Sequence, residues 1–179
     1  MRIIGGAYRG KKLYSPEYEG VRPTSDRARE AVFNILSSKL AGDWAACDML
    51  DVFAGTGAVG LEALSRGVRS VTLARRNAAL FAKEKDRISL ISADASRLPP
   101  APRQYNLVFL DAPYNKGLSV AALRSLAGQG WLAEDALVLV ELEKNEPLEM
   151  ESIPFFEQVD ERRYGLARVV FLHFLPAKK

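Results

Sequence analysis

Asp51-Val52-Phe53-Ala54-Gly55-Thr56-Gly57-Ala58-Val59-Gly60 decides the fold. It sets Gly-x-Gly-x-x-Gly directly after a short apolar run at 49–53 and directly before a helical pattern at 59–66 that stops at Gly67. Glycines at this spacing permit a tight turn and let a ligand lie against the backbone. The amides that open the helix favour a negatively polarised group. A strand, a loop and a helix arranged for a nucleotide follow from this. The glycines alone leave NAD, FAD and S-adenosylmethionine open. Asp51 narrows the choice, because a carboxylate at the strand end repels a pyrophosphate and suits a cation. The ammonium and neighbouring sulfonium of S-adenosylmethionine are such cations.

Working outward, apolar runs at 70–73, 88–91, 106–110 and 136–142 read as strands, and 77–85 and 118–126 read as helices. Two further strands, 155–163 and 168–174, follow with no helix between them, and Tyr164-Gly165 sits where a hairpin turn belongs. Repeated strand–helix units imply a parallel sheet with helices on both faces. Residues 1–25 read as short extended pieces with a Gly5-Gly6 turn, and Gly20 and Pro23 stop any helix. Thr24 or Ser25 caps a helix from Asp26 in which Ala28, Ala31, Val32, Ile35 and Leu36 recur at helical spacing, ending at Gly42. The expected organisation is a basic N-terminal hairpin and helix over 1–40 and a nucleotide-binding domain over 41–179. Ligands of such sheets lie beyond the carboxyl ends of the strands. That directs attention to 51–60, 73–77, 94–95 and 111–115.

The chain has 179 residues, 48% hydrophobic and 26% charged, enough to bury a core and outside the range of disordered or disulfide-built chains. No apolar run approaches the ~20 residues of a membrane helix, and the N-terminus carries no signal pattern. One cysteine, Cys47, and one histidine, His173, leave no metal cluster and no Ser-His-Asp engine. A cytoplasmic protein without a metal or a membrane partner is expected. Residues 1–30 hold seven basic side chains against four acidic, while 131–160 hold nine acidic against Lys144 alone. A surface polarised in this way suits the approach of a polyanion from one side.

Asp111-Ala112-Pro113-Tyr114 ends the fourth strand. A carboxylate there can accept a hydrogen bond from the exocyclic amine of a nucleobase. That bond strengthens as the nitrogen turns pyramidal, which is binding of the transition state rather than the ground state. Pro113 stiffens the loop, and Tyr114 offers a flat face to a flipped base. Asp111, Pro113 and Tyr114 are therefore the candidate catalytic residues.

The two motifs together resemble class I S-adenosylmethionine methyltransferases that act on amino groups. The N-terminal run narrows this further: Arg2-Ile3-Ile4-Gly5-Gly6, Arg9-Gly10-Lys11-Lys12-Leu13, and Arg22-Pro23-Thr24-Ser25-Asp26-Arg27-Ala28-Arg29-Glu30-Ala31-Val32-Phe33-Asn34-Ile35-Leu36. With Gly60-Leu61-Glu62-Ala63-Leu64-Ser65-Arg66-Gly67 and Gly130-Trp131-Leu132, it is similar to the RsmD family of bacterial 16S rRNA guanine-N2 methyltransferases. The resemblance implies a Rossmann-like, seven-stranded, mostly parallel α/β sheet with a C-terminal antiparallel hairpin and a small N-terminal extension. It implies a monomer acting on 16S rRNA in the assembling small ribosomal subunit. It assigns the donor to Asp51, Phe53, Ala54, Gly55, Thr56, Gly57, Arg75, Asp94 and Ala95. It assigns the guanine to the 111–114 loop, and RNA phosphates to Arg2, Arg9, Lys11, Lys12, Arg22, Arg27 and Arg29.

Three departures from the family pattern stand out. Arg75 occupies the place of a carboxylate that would hold the ribose hydroxyls, and arginine accepts no proton; Asn77 is the nearest substitute. Only 18 residues separate Arg75 from Asp94, short for a helix, a turn and a strand. Ala112 replaces the first proline of the family loop. Rival readings are a degenerate fold that only binds rRNA, an NADP-dependent reductase using Arg75-Arg76, and a DNA adenine-N6 methyltransferase, for which 179 residues leave little room.

Overall fold

The computed structural model describes residues 1–14, 26–73 and 77–176. Gly20, Arg22, Pro23, Thr24, Ser25, Arg75 and Arg76 lie outside the described residues. The strands are β1 (Asp48–Val52), β2 (Ser70–Leu73), β3 (Ile88–Leu90), β4 (Tyr105–Leu110), β5 (Leu132–Glu143), β6 (Phe156–Tyr164) and β7 (Ala167–Phe174). They form one seven-stranded sheet of order β3-β2-β1-β4-β5-β7-β6. Its helices are α1 (Asp26–Lys39), α2 (Ala58–Arg66) and α3 (Leu118–Gly128). The chain divides into two compact units, Met1–Ile91 and Ser92–Lys179.

In the first unit β1 runs parallel to β2, and β2 to β3. Met49 and Leu50 of β1, Val71 of β2 and Leu61, Ala63 and Leu64 of α2 are buried together with Val68. Gly67, at φ +110°, ends α2 by returning its amide to the carbonyls of Ala63 and Leu64, a left-handed stop that glycine adopts at least cost. Val32, Phe33 and Leu36 of α1 are buried, and Phe33 stacks on Trp44 at 5.8 Å.

The segment after β2 departs from the sequence expectation. The helix read at 77–85 is a 3-10 segment, Ala78–Arg87, broken at Phe81 (φ −116°, ψ 43°). The strand read at 88–91 is three residues long and lies at the sheet edge, with Leu90 46% and Ile91 36% exposed. The cause is the short spacing. Phe81 alone is buried within the 3-10 segment, whose second half is Lys83-Glu84-Lys85-Asp86-Arg87. One apolar anchor does not make the amphipathic stripe that stabilises an α-helix by packing.

In the second unit β4 runs parallel to β5, while β7 is antiparallel to both β5 and β6. The expected closing hairpin is present, with Gly165 at φ +63° in its turn. Strand β5 is longer than the apolar run at 136–142, because Leu132 already pairs with Tyr105 before a register shift. Tyr105 and Trp131 stack at 5.9 Å, and the Trp131 indole donates to the Pro99 carbonyl at 2.8 Å.

Candidate active site

The glycine loop grows from the end of β1. Phe53, Gly55 and Gly57 have φ of +60°, +51° and +75°. Positive φ suits the glycines, whereas at Phe53 it strains an ordinary side chain. The Gly57 amide donates to the Ala54 carbonyl at 2.6 Å, which folds the loop onto itself. Gly55 is exposed and Gly57 buried, so the loop offers backbone outward while α2 packs behind it. Phe53, Ala54 and Thr56 are half-buried.

Asp51 is 6% exposed, and its Oδ2 accepts the Gly60 amide at 2.9 Å. Burial pushes its pKa up to about 7, against which the Gly60 amide acts in the lowering direction. It thus caps an amide of α2.

The N-terminal hairpin sits on this same unit. An antiparallel backbone β-bridge between Arg2 and Lys12 closes it, and Ile3 and Leu13 bury its apolar face. Glu62 of α2, 0% exposed, accepts the Ile4 amide at 2.7 Å, the Gly5 amide at 2.8 Å and the Arg66 guanidinium at 2.9 Å. Ser65 Oγ donates to the Gly5 carbonyl and accepts the Tyr8 amide, while its carbonyl accepts the Ala7 amide. A Cβ on Gly6 would lie 1.9 Å from the Ser65 carbonyl oxygen. Glycine is therefore required here for close approach as well as for φ +75°.

The basic residues of this region separate into two groups. Arg2, Arg9, Lys12 and Arg27 are exposed, with Arg2 paired to Asp26 at 3.2 Å. Lys11 is half-buried, its ammonium 4.8 Å from the centre of the Phe81 ring. Arg29 is 2% exposed and donates to the Arg2 carbonyl at 2.6 Å and to Asp26 at 3.0 Å. Desolvation lowers its pKa, with Glu62 and Asp26 acting in the opposite direction. Its guanidinium anchors the hairpin from within and is not presented to a phosphate.

Asn77 also differs from the expectation. It is fully buried, and its amide is committed. Oδ1 accepts the Tyr14 amide at 2.8 Å, and Nδ2 donates to the carbonyls of Tyr14 at 3.0 Å and Thr56 at 2.6 Å. It does not stand in for a ribose-binding acid.

In the second unit, Asp94 caps the 3-10 turn Ala95–Arg97. Its Oδ1 accepts both the Ser96 hydroxyl at 2.7 Å and the Ser96 amide at 2.9 Å, which hold its pKa below the usual carboxylate range. The Asp94 side chain is exposed and Ala95 is buried. After β4, Asp111 is half-buried, Ala112 buried and Pro113 exposed. The half-buried Tyr114 donates its hydroxyl to Glu141 Oε1 on β5 at 3.1 Å. Glu141 is 3% exposed and was legible in sequence only as one member of an acidic stretch. Asn115 and Gly117, at φ +57° and +66°, turn the loop into α3.

Among the described residues no group of His, Cys, Asp or Glu is arranged to hold a metal, and no helix is long and apolar enough to cross a membrane.

A glycine loop after β1, a sheet of this strand order and a closing antiparallel hairpin define a class I methyltransferase fold. The solved structure of the yhhF protein of Escherichia coli, described as a putative methyltransferase, aligns over 98% of both chains at TM-score 0.76 and 32% identity. The ribosomal RNA small subunit methyltransferase D of Escherichia coli K12 is 40% identical over 152 residues, 80% of this chain and 75% of the relative. The protein of that name from Haemophilus influenzae is 34% identical over 161 residues, 83% and 81% respectively. The chain belongs to the RsmD family, described as Conserved hypothetical protein 95, whose model matches residues 1–173.

Proposed function

We propose that this chain transfers the methyl group of S-adenosylmethionine to the exocyclic N2 of a guanine in small-subunit rRNA. The carrying observation is the loop that ends β4. Asp111 stands at the strand end, and three residues on Tyr114 is tied to a buried carboxylate. A hydroxyl tethered in this way limits the orientations of the ring, so its face is prepared for a stacked base before RNA arrives.

The strained turn at Phe53 to Gly57 and the buried Asp51 fit the amino-acid end of the donor. Glycine backbone supplies close approach, and the carboxyl supplies a partner for an ammonium. Phe53, Ala54 and Thr56 complete that cradle, Asp94 and Ala95 are assigned to the adenine, and Arg75 remains assigned to the donor by position. When bound, the sulfonium donor supplies an already activated methyl group. The remaining task of the protein is to orient the acceptor nitrogen and exclude water. Asp111 accepts an N–H of the guanine amine, and Tyr114 holds the ring plane. A strong base is unnecessary, since the alkylated nitrogen sheds its proton readily. The exposed Arg2, Arg9, Lys12 and Arg27, with Lys11 and Arg22, engage rRNA phosphates. The acceptor is the assembling small subunit in the cytoplasm, and the protein acts as a monomer. The commitment of Asn77 to backbone groups gives weight to one rival, a chain that binds rRNA without methylating it.

Single-turnover transfer of labelled methyl to small ribosomal subunits lacking the modification, followed by mass mapping of methylguanosines, tests the proposal. RNA binding without transfer favours the non-catalytic reading, and tight NADP binding with no S-adenosylmethionine binding favours the reductase.

Two further results are expected. Replacing Arg9, Lys12 and Arg27 together by Gln should reduce the slope of log affinity against log salt by about 2 to 3, the value for three lost phosphate contacts. Filter binding across a salt series measures this.

The second concerns pH. Asp51 has a folded pKa raised to about 7 from 3.8, so between those values the folded protein holds a proton that the unfolded chain has lost. Its contribution to stability is thus fully present below pH 3.8 and declines until about pH 7. Donor binding runs the other way, because an ammonium pairs with the ionised form. Affinity for S-adenosylhomocysteine should rise by up to about tenfold per pH unit until the carboxyl ionises, then level off. Calorimetry between pH 5.5 and 8.5 reads this directly, and Asp51→Asn should flatten the profile.

A further inference from the structure

The buried amide of Asn77 joins two segments that the proposed function assigns to different ligands. On one side is Tyr14, the end of the basic hairpin, a residue 63% exposed. Asn77 meets it as a β-strand partner would, with Oδ1 accepting the Tyr14 amide and Nδ2 donating to the Tyr14 carbonyl. On the other side is the glycine loop, where the same Nδ2 donates to the Thr56 carbonyl at 2.6 Å. The peptide unit between Thr56 and Gly57 is held at both ends, since the Gly57 amide is bound to the Ala54 carbonyl. The Thr56 hydroxyl adds a weaker contact to Met1 Sδ at 3.4 Å, and the Met1 carbonyl accepts the Leu13 amide of the same hairpin. Any change in the loop at 56–57 must therefore move, or break from, the group that fixes the end of the hairpin.

Resting on the function proposed above, we infer that Asn77 is a positioning residue that couples the donor loop to the RNA-facing hairpin, so that each ligand tightens the other. Its amide bonds both segments at once, beside the weaker direct contact of Thr56 with Met1. Among the described residues it is 0% exposed and its oxygen and nitrogen are both committed to these backbone groups. Ordering of the loop by the donor lowers the ordering cost of the hairpin, and the effect is reciprocal because linkage requires it.

The test measures affinity for unmodified small ribosomal subunits by filter binding, with and without saturating S-adenosylhomocysteine. In the wild-type protein the donor analogue should tighten subunit binding by at least about fivefold, the lower end of ordinary coupling. Asn77→Asp keeps the acceptor for the Tyr14 amide and removes the donors to both carbonyls, so the ratio should fall towards one. A merely structural role would lower the melting temperature and weaken both ligands while leaving the ratio unchanged, and that result overturns the inference. So does a wild-type ratio of one. A wild-type protein that binds no S-adenosylhomocysteine at all overturns the proposed function and this inference together, whereas an unchanged ratio in the variant leaves the function standing. Should Asn77→Asp fold poorly, hydrogen exchange on the wild-type protein decides. S-adenosylhomocysteine alone should slow exchange of the Tyr14 amide, and no change there refutes the coupling.

Discussion

Asp111→Ala is expected to lower single-turnover methyl transfer by about 100- to 1,000-fold, the usual effect of removing one aligned group that strengthens only in the transition state. Affinity for S-adenosylhomocysteine and the melting temperature should change little, because Asp111 is half-buried at a loop start and the strand before it is held by pairing with β5. The ground-state guanine amine is a conjugated, nearly planar nitrogen and gains little from the carboxylate. As the nitrogen turns pyramidal and positive, the donor as well as the acceptor becomes charged and the same hydrogen bond strengthens. The loss should therefore appear in kcat more than in KM for the subunit. Tyr114→Ala serves as the internal comparison. Stacking of a base on an aromatic ring contributes about 1–3 kcal/mol and acts in ground and transition states alike. Its removal should fall more on KM. A kcat for Asp111→Ala within about threefold of wild type would place the carboxylate outside the chemistry.

The parts of this protein that were legible in the sequence are those set by local rules. Gly55 and Gly57 announce a loop because φ near +51° and +75° is what glycine is for. The turn at Gly165 announces a hairpin in the same way. The alternation of apolar runs and helical spacing gave the parallel sheet, since both periods arise from backbone geometry alone. Where the reading went astray, a non-local balance was in control. Residues 77–85 have helix-permitting composition, yet Phe81 is the one apolar side chain among them to enter a core, and the segment tightens to a kinked 3-10 form. Arg29 reads as one more cation in a basic run, but its position on α1 turns it inward to the Arg2 carbonyl. Glu62, Ser65 and Asn77 look like ordinary polar residues of helices. Their roles come from a chain segment about sixty residues away whose amides would otherwise be buried without partners. Glu141 belongs with them, a carboxylate in an apolar strand whose partner, Tyr114, lies 27 positions upstream.

Glu62→Ala is expected to destabilise the protein by about 3–5 kcal/mol, the range for removing one member of a buried ionic pair. Two amides, those of Ile4 and Gly5, lose their acceptor, and each buried donor left unmade costs about 1–3 kcal/mol. Arg66, 15% exposed at the side chain, loses the carboxylate that offsets its own desolvation. Domains of this size have only about 5–15 kcal/mol in total, so the urea midpoint should fall by about a fifth or more. Glu62→Gln discriminates charge from hydrogen bonding. It keeps one acceptor oxygen and sets an NH2 group against the second amide, so it should fall between wild type and Ala. Gly6→Ala tests the same docking without touching charge, since its Cβ would overlap the Ser65 carbonyl. The three variants should share one phenotype beyond stability. With the hairpin no longer seated on α2, Arg9 and Lys12 lose their fixed positions, and the salt dependence of RNA binding should flatten even where the fold survives. Urea denaturation followed by tryptophan fluorescence reads the first effect, and filter binding well below the midpoint reads the second. A Glu62→Ala midpoint within experimental error of wild type would mean that Ile3 and Leu13, with the bonds from Ser65, Arg29 and Asn77, hold the hairpin without it, and the buried carboxylate would then need another purpose.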